Sequence, residues 1–237
     1  IYILHARRAT YPLLDLTLFR IPVFRSAIVG GSLFRIGSGA TPFLLPLLFQ
    51  LGFGLTPFQS GLLTFASAVG ALSMKFLAPF TLRTGGFRTV LIAAAIISGG
   101  FIIGNGFFTA ETPHGLVIAV LIGSGFLRSL FFTSNNALVF ADIEDKDTSQ
   151  ATAIATALQQ ITVAIGVAVA GGILEMMAFL TGTATSQTSF TVAFAIVGAI
   201  TALSCIPFLG MAKDAGSAVS GHRLRTATSA TEEPRPA

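Results

Sequence analysis

One arginine and a few polar side chains interrupt the most apolar part of the sequence. Residues 123–143 read GSGFLRSLFFTSNNALVFADI, with Arg128 among hydrophobic neighbours. An arginine at the centre of a spanning helix is disfavoured by about 2.5–3.5 kcal/mol, so it normally faces a protein interior or a wet cavity. On a helix, Ser124, Asn135 and Asp142 lie within about 40° of Arg128. The stretch therefore predicts a helix with one narrow polar stripe.

A buried cation such as Arg128 needs a partner. Within the apolar runs, Glu175 is the acidic candidate, but it lies near the far end of its run and matches Arg128 poorly in depth. One alternative is a structural ion pair, and the other is a wet cavity or a partner outside this sequence. We favour the cavity. Asn135 shares the face of Arg128, whereas Asn136 is turned about 80° away, so Asn135 is the predicted cavity residue.

A second intramembrane arginine, Arg35, precedes the segment IGSGATPFLLP. Gly37, Gly39, Pro42 and Pro46 are expected to loosen or kink the helix there, as in the broken spans of transporters. Arg35 then lines a cavity. The alternative is that its side chain extends to the membrane surface beside a packed, bent helix.

Two further candidates lie in the fifth apolar run. Gln160 is a cavity candidate in a row at i, i+4 spacing that changes from polar to small residues and favours helix packing. The members of that row are Thr152, Thr156, Gln160, Ala164, Ala168 and Gly172. Glu175 is either a proton-titrating acid or a residue solvated at the outer interface.

The composition requires a membrane environment for these helices. The sequence is 53% hydrophobic and 10% charged, with a mean hydropathy of +0.81, whereas soluble domains carry about 25% charged residues. Long apolar runs predict an all-α membrane protein without strands. Cys205 is the single cysteine and forms no internal disulfide. Because no metal spacing, nucleotide loop or nucleophile arrangement is present, we expect no enzyme and no cofactor.

Six apolar runs organise the chain into one domain, residues 26–211. We predict spans at 26–50, 58–81, 89–109, 115–140, 150–179 and 188–211, each long enough for a hydrocarbon core of about 30 Å. Residues 1–25 read as a linker after a preceding span, and residues 212–237 as a disordered tail. The opening IYILHARR indicates that the sequence is a fragment.

The basic residues predict the orientation. If the linker is cytoplasmic, segments on that side hold 11 of the 14 lysines and arginines, and the opposite loops hold none. The positive-inside rule then places both ends in the cytoplasm, and the charge of +4 is no nucleic-acid signal. The remaining three are Arg35, Arg128 and Lys75, and Lys75 is close enough to the interface to reach it. The third and sixth runs carry no charge, so we expect them to face lipid and the first and fourth to line a polar space.

Several blocks in order carry a family resemblance. They are PLLDLTLFRIPVFR (12–25), LPLLFQLGFGLTPFQSGLL (45–63), GGFRTVL (85–91), RSLFFTSNNALVFADI (128–143), and the pairs QQ and GVA (159–160 and 166–168). Together, over residues 5–211, they resemble the C-terminal half of the fourteen-span drug:proton antiporters of the major facilitator superfamily.

This resemblance implies a six-helix half that packs against a homologous N-terminal half, with a transport cavity between them and alternating access. It implies a bacterial inner-membrane exporter of small amphipathic drugs or metabolites, driven by protons. In this family the first and fourth helices line the cavity and the third and sixth face lipid. The turn APFTLRTGGFR keeps Arg83, Gly86 and Arg88 of a superfamily gating motif but lacks its aspartate. The antiporter motif and the proton-carrying acids belong to the N-terminal half, which is absent from this sequence.

Two alternatives stay open from the sequence. Arg35 and Arg128 give the cavity a positive charge that fits cationic drugs poorly, so an exporter of an anionic metabolite is one of them. The other is a half-length membrane interaction protein that transports nothing.

Overall fold

The computed structural model describes the backbone of residues 16–182 and 186–212, and their side chains except those of Leu16 and residues 75–85. Every regular element in these ranges is helical. The prediction of an all-α protein is confirmed. The predicted tail from residue 213 and the first 15 residues of the predicted linker lie outside the described residues.

The first span begins within the predicted linker. A short 3-10 helix, Leu16–Arg20, leads into helix α1, Pro22–Leu47. Pro22 occupies the first turn of α1. Backbone N–H groups of the first turn have no partner within the helix, so the missing N–H of proline costs nothing there, and its fixed φ is helical. Beyond Pro46 the winding loosens into a π-helix, Leu48–Gly52. The predicted loosening is therefore present at the end of the span, while α1 runs helically through Pro42.

Helices α2 and α3 form a single helical run, Pro57–Asn105, that is broken at Gly86. Gly86 has φ 66° and ψ 161°, which a residue with a Cβ adopts only with strain. We label residues 57–85 α2 and Gly86–Asn105 α3. A capping box begins α2: the Thr56 amide donates to Gln59 Oε1 (3.0 Å) and the Gln59 amide to Thr56 Oγ1 (3.3 Å).

Three more long helices complete the bundle. They are α4 (His114–Val139), α5 (Thr148–Thr181) and α6 (Gln187–Leu203), followed by the short α7 (Ile206–Leu209). In the sixth predicted run, the continuous helix ends at Leu203. Pro207 lies in the next turn, and it interrupts the helix because it has no N–H to donate and its ring clashes with the preceding turn. The third run ends at Asn105, four residues before its predicted end.

Five of these segments are long and apolar enough to cross a membrane: Pro22–Gly52, Gly86–Asn105, His114–Val139, Asp145–Thr181 and Gln187–Leu209. Helix α2 is not among these five, because the side chains of its residues 75–85 are not described. Its backbone is helical over the whole of the predicted second span. The chain is thus built from helices of spanning length.

Two hydrophobic clusters show that consecutive helices run antiparallel. One cluster joins the start of α1 (Phe24) to the end of α4 (Phe131) and to α7 (Phe208). The other joins the end of α1 (Phe49) to the starts of α4 and α6, the latter through Phe190. The two clusters therefore mark the two ends of an up-and-down bundle, with the polar residues of α1 and α4 between them.

Glycines let the helices approach most closely where α2 crosses α4. A Cβ on Gly125 would overlap the carbonyl oxygen of Ser67, and one on Gly70 would overlap that of Ile122. The two contacts are reciprocal, so the backbones of α2 and α4 touch there without intervening side chains. Gly166 similarly admits the Ile36 carbonyl, which brings α5 against α1.

Candidate functional site

Arg128 lies near the middle of α4, 14 residues after His114 and 11 before Val139. It lines a cavity of about 240 Å³ between α1, α2 and α4. The cavity is lined by Thr41, Pro42, Leu45, Pro46, Thr64, Ser67, Leu121, Ser124 and Arg128. Ser124 shares the cavity with Arg128, one helical turn away on the same stripe, as the sequence predicted.

The guanidinium of Arg128 has no partner in the described part of the chain. The one ion pair there joins Lys146 to Glu144 (2.7 Å) in the connection between α4 and α5. This bond lowers the pKa of the Glu144 carboxyl, and it is remote from the cavity wall. Thr41 Oγ1, in the same wall as Arg128, is also buried and makes no hydrogen bond. The wall therefore contains a cation open to the cavity and a buried hydroxyl, neither of which has a partner among the described residues.

Arg35 is fixed by the neighbouring helix. It lies near the middle of α1 and is buried, with 9% of its surface exposed. Its Nη2 donates to Asn136 Oδ1 (3.3 Å), and its Cζ lies 5.0 Å from the centre of the Phe132 ring. The guanidinium therefore lies beside Asn136, three residues before the end of α4. The two arginines thus differ: Arg35 is bound by α4, and Arg128 is open to the cavity.

Asn135 lies at the α1–α4 contact and is absent from the residues that line the Arg128 cavity. Its side chain is 1% exposed, and neither Nδ2 nor Oδ1 has a hydrogen-bond partner. It packs against Gly31, where a Cβ would collide with the amide. The neighbouring Asn136, which the helical angle from Arg128 ranked second, is the residue that contacts Arg35.

The predicted polar stripe on α4 is shorter than expected. Asp142 follows the end of α4 at Val139 and is an exposed turn residue, so its placement on the stripe is wrong. The helical angle holds only while the helix continues, and Phe140 already closes it as the C-cap. The stripe ends at Asn135.

Gln160 and its row lie on the exposed side of α5. All six residues of the row are exposed, and a Cβ on Gly172 would meet no atom within 4 Å. Packing of this row against another described helix is therefore not observed. The side of α5 that packs is a different one, with Ala151, Ala155, Gly166 and Ala170 buried. Glu175 is exposed near the C-terminal end of α5.

The predicted gating residues lie at the Gly86 break. Arg88 Nη2 donates to the backbone oxygen of Leu209 (2.8 Å) and so connects the start of α3 to the end of α7. Arg83 lies outside the residues whose side chains are described. The observed bond of Arg88 is to a carbonyl, where the family motif would have an aspartate.

A larger recess of about 550 Å³ lies between α3 and α4, but it offers little polar chemistry. Thr112 is the one polar side chain in its described lining, which otherwise consists of phenylalanines, aliphatic residues and two glycines. No cluster of three or more metal-ligating side chains occurs among the described residues. The polar cavity at Arg128 is therefore the candidate site.

Sequence reasoning did not identify Thr41, Thr64 and Ser67 as cavity residues. Serine and threonine commonly bond a carbonyl one turn back inside helices, as Thr64 does to Ser60 (3.0 Å), so their presence is no signal by itself. Whether these three side chains face α4 depends on how α1 and α2 are rotated about their own axes. Pro42 and Pro46, which the sequence did single out, line the same cavity.

The alternating helices of spanning length are those of a multi-pass membrane protein, and their order is consistent with one half of a major facilitator superfamily fold. No family model matches the chain. Over 179 residues, 74% of its length, the chain is 30% identical to the "Putative multidrug resistance protein MdtD" of Salmonella heidelberg (strain SL476), and likewise to the proteins of that name in Salmonella paratyphi A and Salmonella typhi. The match takes in 37% of each relative, so the chain spans well under half their length. The predicted resemblance is confirmed as a similarity to proteins named for multidrug resistance.

Proposed function

We propose that the chain is the C-terminal half of a proton-coupled secondary transporter that exports small amphipathic compounds. The observation that carries this proposal is Arg128, which lies in a cavity in the middle of a membrane bundle and has no partner among the described residues. Such a charge is costly, and it persists where it serves a ligand pathway or a partner. The relatives named for multidrug resistance support export as the direction.

In this proposal the cavity is one wall of a binding site that a homologous N-terminal half completes. Rocking of one half against the other exposes the site to each side of the membrane in turn. The exposed row of α5, polar from Thr152 to Gln160 and small beyond it, lies against the other half. Asn135 and Arg35 support the wall at the α1–α4 contact, while Arg83 and Arg88 belong to the gate. Protons are carried by acids of the other half, with Glu175 as the candidate in this one.

The proposed protein is a transporter without a cofactor and without enzymatic activity. Its partners are the lipid bilayer, the N-terminal half, a small molecule and protons. It resides in the bacterial inner membrane with both ends of this chain in the cytoplasm. The excess of basic residues at those ends supports this orientation.

An efflux assay tests the function. Cells that make the protein from its complete reading frame are loaded with a panel of amphipathic dyes, and dye retention is followed with and without a protonophore. We expect faster loss of at least one dye than in cells with the empty vector, and we expect the protonophore to remove the difference. Equal retention in both strains would contradict export. Export that survives the protonophore would contradict proton coupling alone.

Cysteine labelling tests the topology. In a Cys205→Ala background, Thr112→Cys is placed between α3 and α4 and Ser217→Cys in the C-terminal segment. An impermeant maleimide added to intact cells should label the first position and reach the second only after permeabilisation, because α4, α5 and α6 separate the two across the membrane. Labelling of both positions in intact cells would exclude the six-span arrangement.

A further inference from the structure

The described wall of the Arg128 cavity carries a positive charge and no negative one. Its described lining contains a guanidinium and four hydroxyls but no carboxylate. A guanidinium donates hydrogen bonds and accepts none. The hydroxyl of Thr41 is buried without a partner, so its hydrogen is free to be donated as well. Two of the polar groups in this wall are thus unoccupied donors.

The other part of the wall is apolar. Pro42, Leu45, Pro46 and Leu121 line the same space. A ligand that satisfies both parts carries an anionic group with several acceptor oxygens on a hydrophobic body. Charge-assisted hydrogen bonds to such a group are stronger than neutral ones, and a cationic ligand would be repelled by Arg128.

We infer that this cavity binds the carboxylate of an amphipathic anion, with Arg128 as the charged donor and Thr41 as a second donor. The inference rests on the proposed transport function for its physiological meaning, and it names the class of compound that the transporter carries. It selects the anionic substrate that the sequence left open as an alternative. An acidic side chain from the other half is the competing occupant of Arg128.

A matched pair of probes separates these possibilities. The complete protein in lipid nanodiscs is titrated calorimetrically with 1-naphthoate and with 1-naphthamide, which share their shape and differ in charge. We expect the naphthoate to bind about 10-fold more tightly, since hydrogen bonds to charged groups exceed neutral ones. Arg128→Gln should abolish the preference, and Arg128→Lys should keep most of it.

Two further variants test the geometry and the charge. Thr41→Val keeps the shape and removes the hydroxyl, so it should weaken naphthoate roughly 3-fold and leave naphthamide unchanged. Arg25→Gln removes the same charge from the exposed start of α1 and should change neither affinity. These variants also cover the case in which Arg128→Gln fails to fold.

The outcomes decide separately on ligand class and on transport. Equal binding of the two probes, binding of neither, or an equal loss of both in Arg128→Gln would overturn the anion site. If the protein still exported dyes in that case, the proposed transport function would stand and only the anion site would be rejected. Conversely, an Arg128-dependent preference for naphthoate in a protein that exports nothing would support the anion site and refute transport.

Discussion

Arg128→Ala in the complete transporter should reduce export to background while the amount of protein in the membrane stays the same. The side chain forms no bond to the described residues of its own half, so its removal leaves no group unpaired there. Removing an arginine from mid-span also relieves an insertion penalty of about 2.5–3.5 kcal/mol. Export depends on the cavity wall that the arginine completes, so we expect the initial efflux rate to fall to that of cells with the empty vector.

The measurement has two parts, dye efflux per cell and the level of folded protein in the membrane. Arg35→Ala is the matched comparison, because that arginine lies at a similar depth but is bound to Asn136 and Phe132. We expect Arg35→Ala to lower the amount of folded protein, since it removes a buried side chain that packs on Phe132 and bonds to Asn136. Unchanged export by Arg128→Ala would remove Arg128 from the transport path. A fall in its membrane level would identify Arg128 as a structural ion pair with the other half.

The spans themselves were predictable from sequence because each apolar run is long and the bilayer sets a minimum length. The ends were harder to predict. The predicted start of the first span was placed after Arg25, but Pro22 is compatible with the first turn and the helix begins there. Hydropathy does not reveal where a helix starts, since a helix can extend beyond the hydrocarbon core of the bilayer with charged residues in its first turns.

The polar site was predictable on one helix and unpredictable between helices. A rotation of 100° per residue related Ser124 to Arg128 within α4, and both line the cavity. The same rule ranked Asn135 above Asn136, yet Asn136 meets Arg35. That contact depends on the crossing of α1 and α4 and on close approach at Gly31. Periodicity within one helix contains no information on the rotation of its neighbour.

Gly125 sets the distance between α2 and α4, so Gly125→Val should be among the most destabilising single substitutions in this half. A Cβ there would overlap the Ser67 carbonyl, a backbone atom that cannot move without shifting α2. Overpacking of this kind typically costs about 1–3 kcal/mol or more. Moving α2 away from α4 would also widen the cavity that Ser67 and Arg128 share. We expect less folded protein than the parent gives, and lower export.

Gly100→Val provides the control for Gly125→Val. Both glycines lie inside spanning helices, so the change in helix propensity is the same. Gly100 is exposed, and a Cβ there would meet no atom within 4 Å. Fluorescence-detected gel filtration after heating should therefore give Gly100→Val the melting temperature of the parent, and Gly125→Val a lower one by several degrees, about 4 °C per kcal/mol for a domain of this size. If the two variants melted together, the crossing of α2 and α4 would not depend on Gly125, and the cavity between α1, α2 and α4 would need a different structural basis.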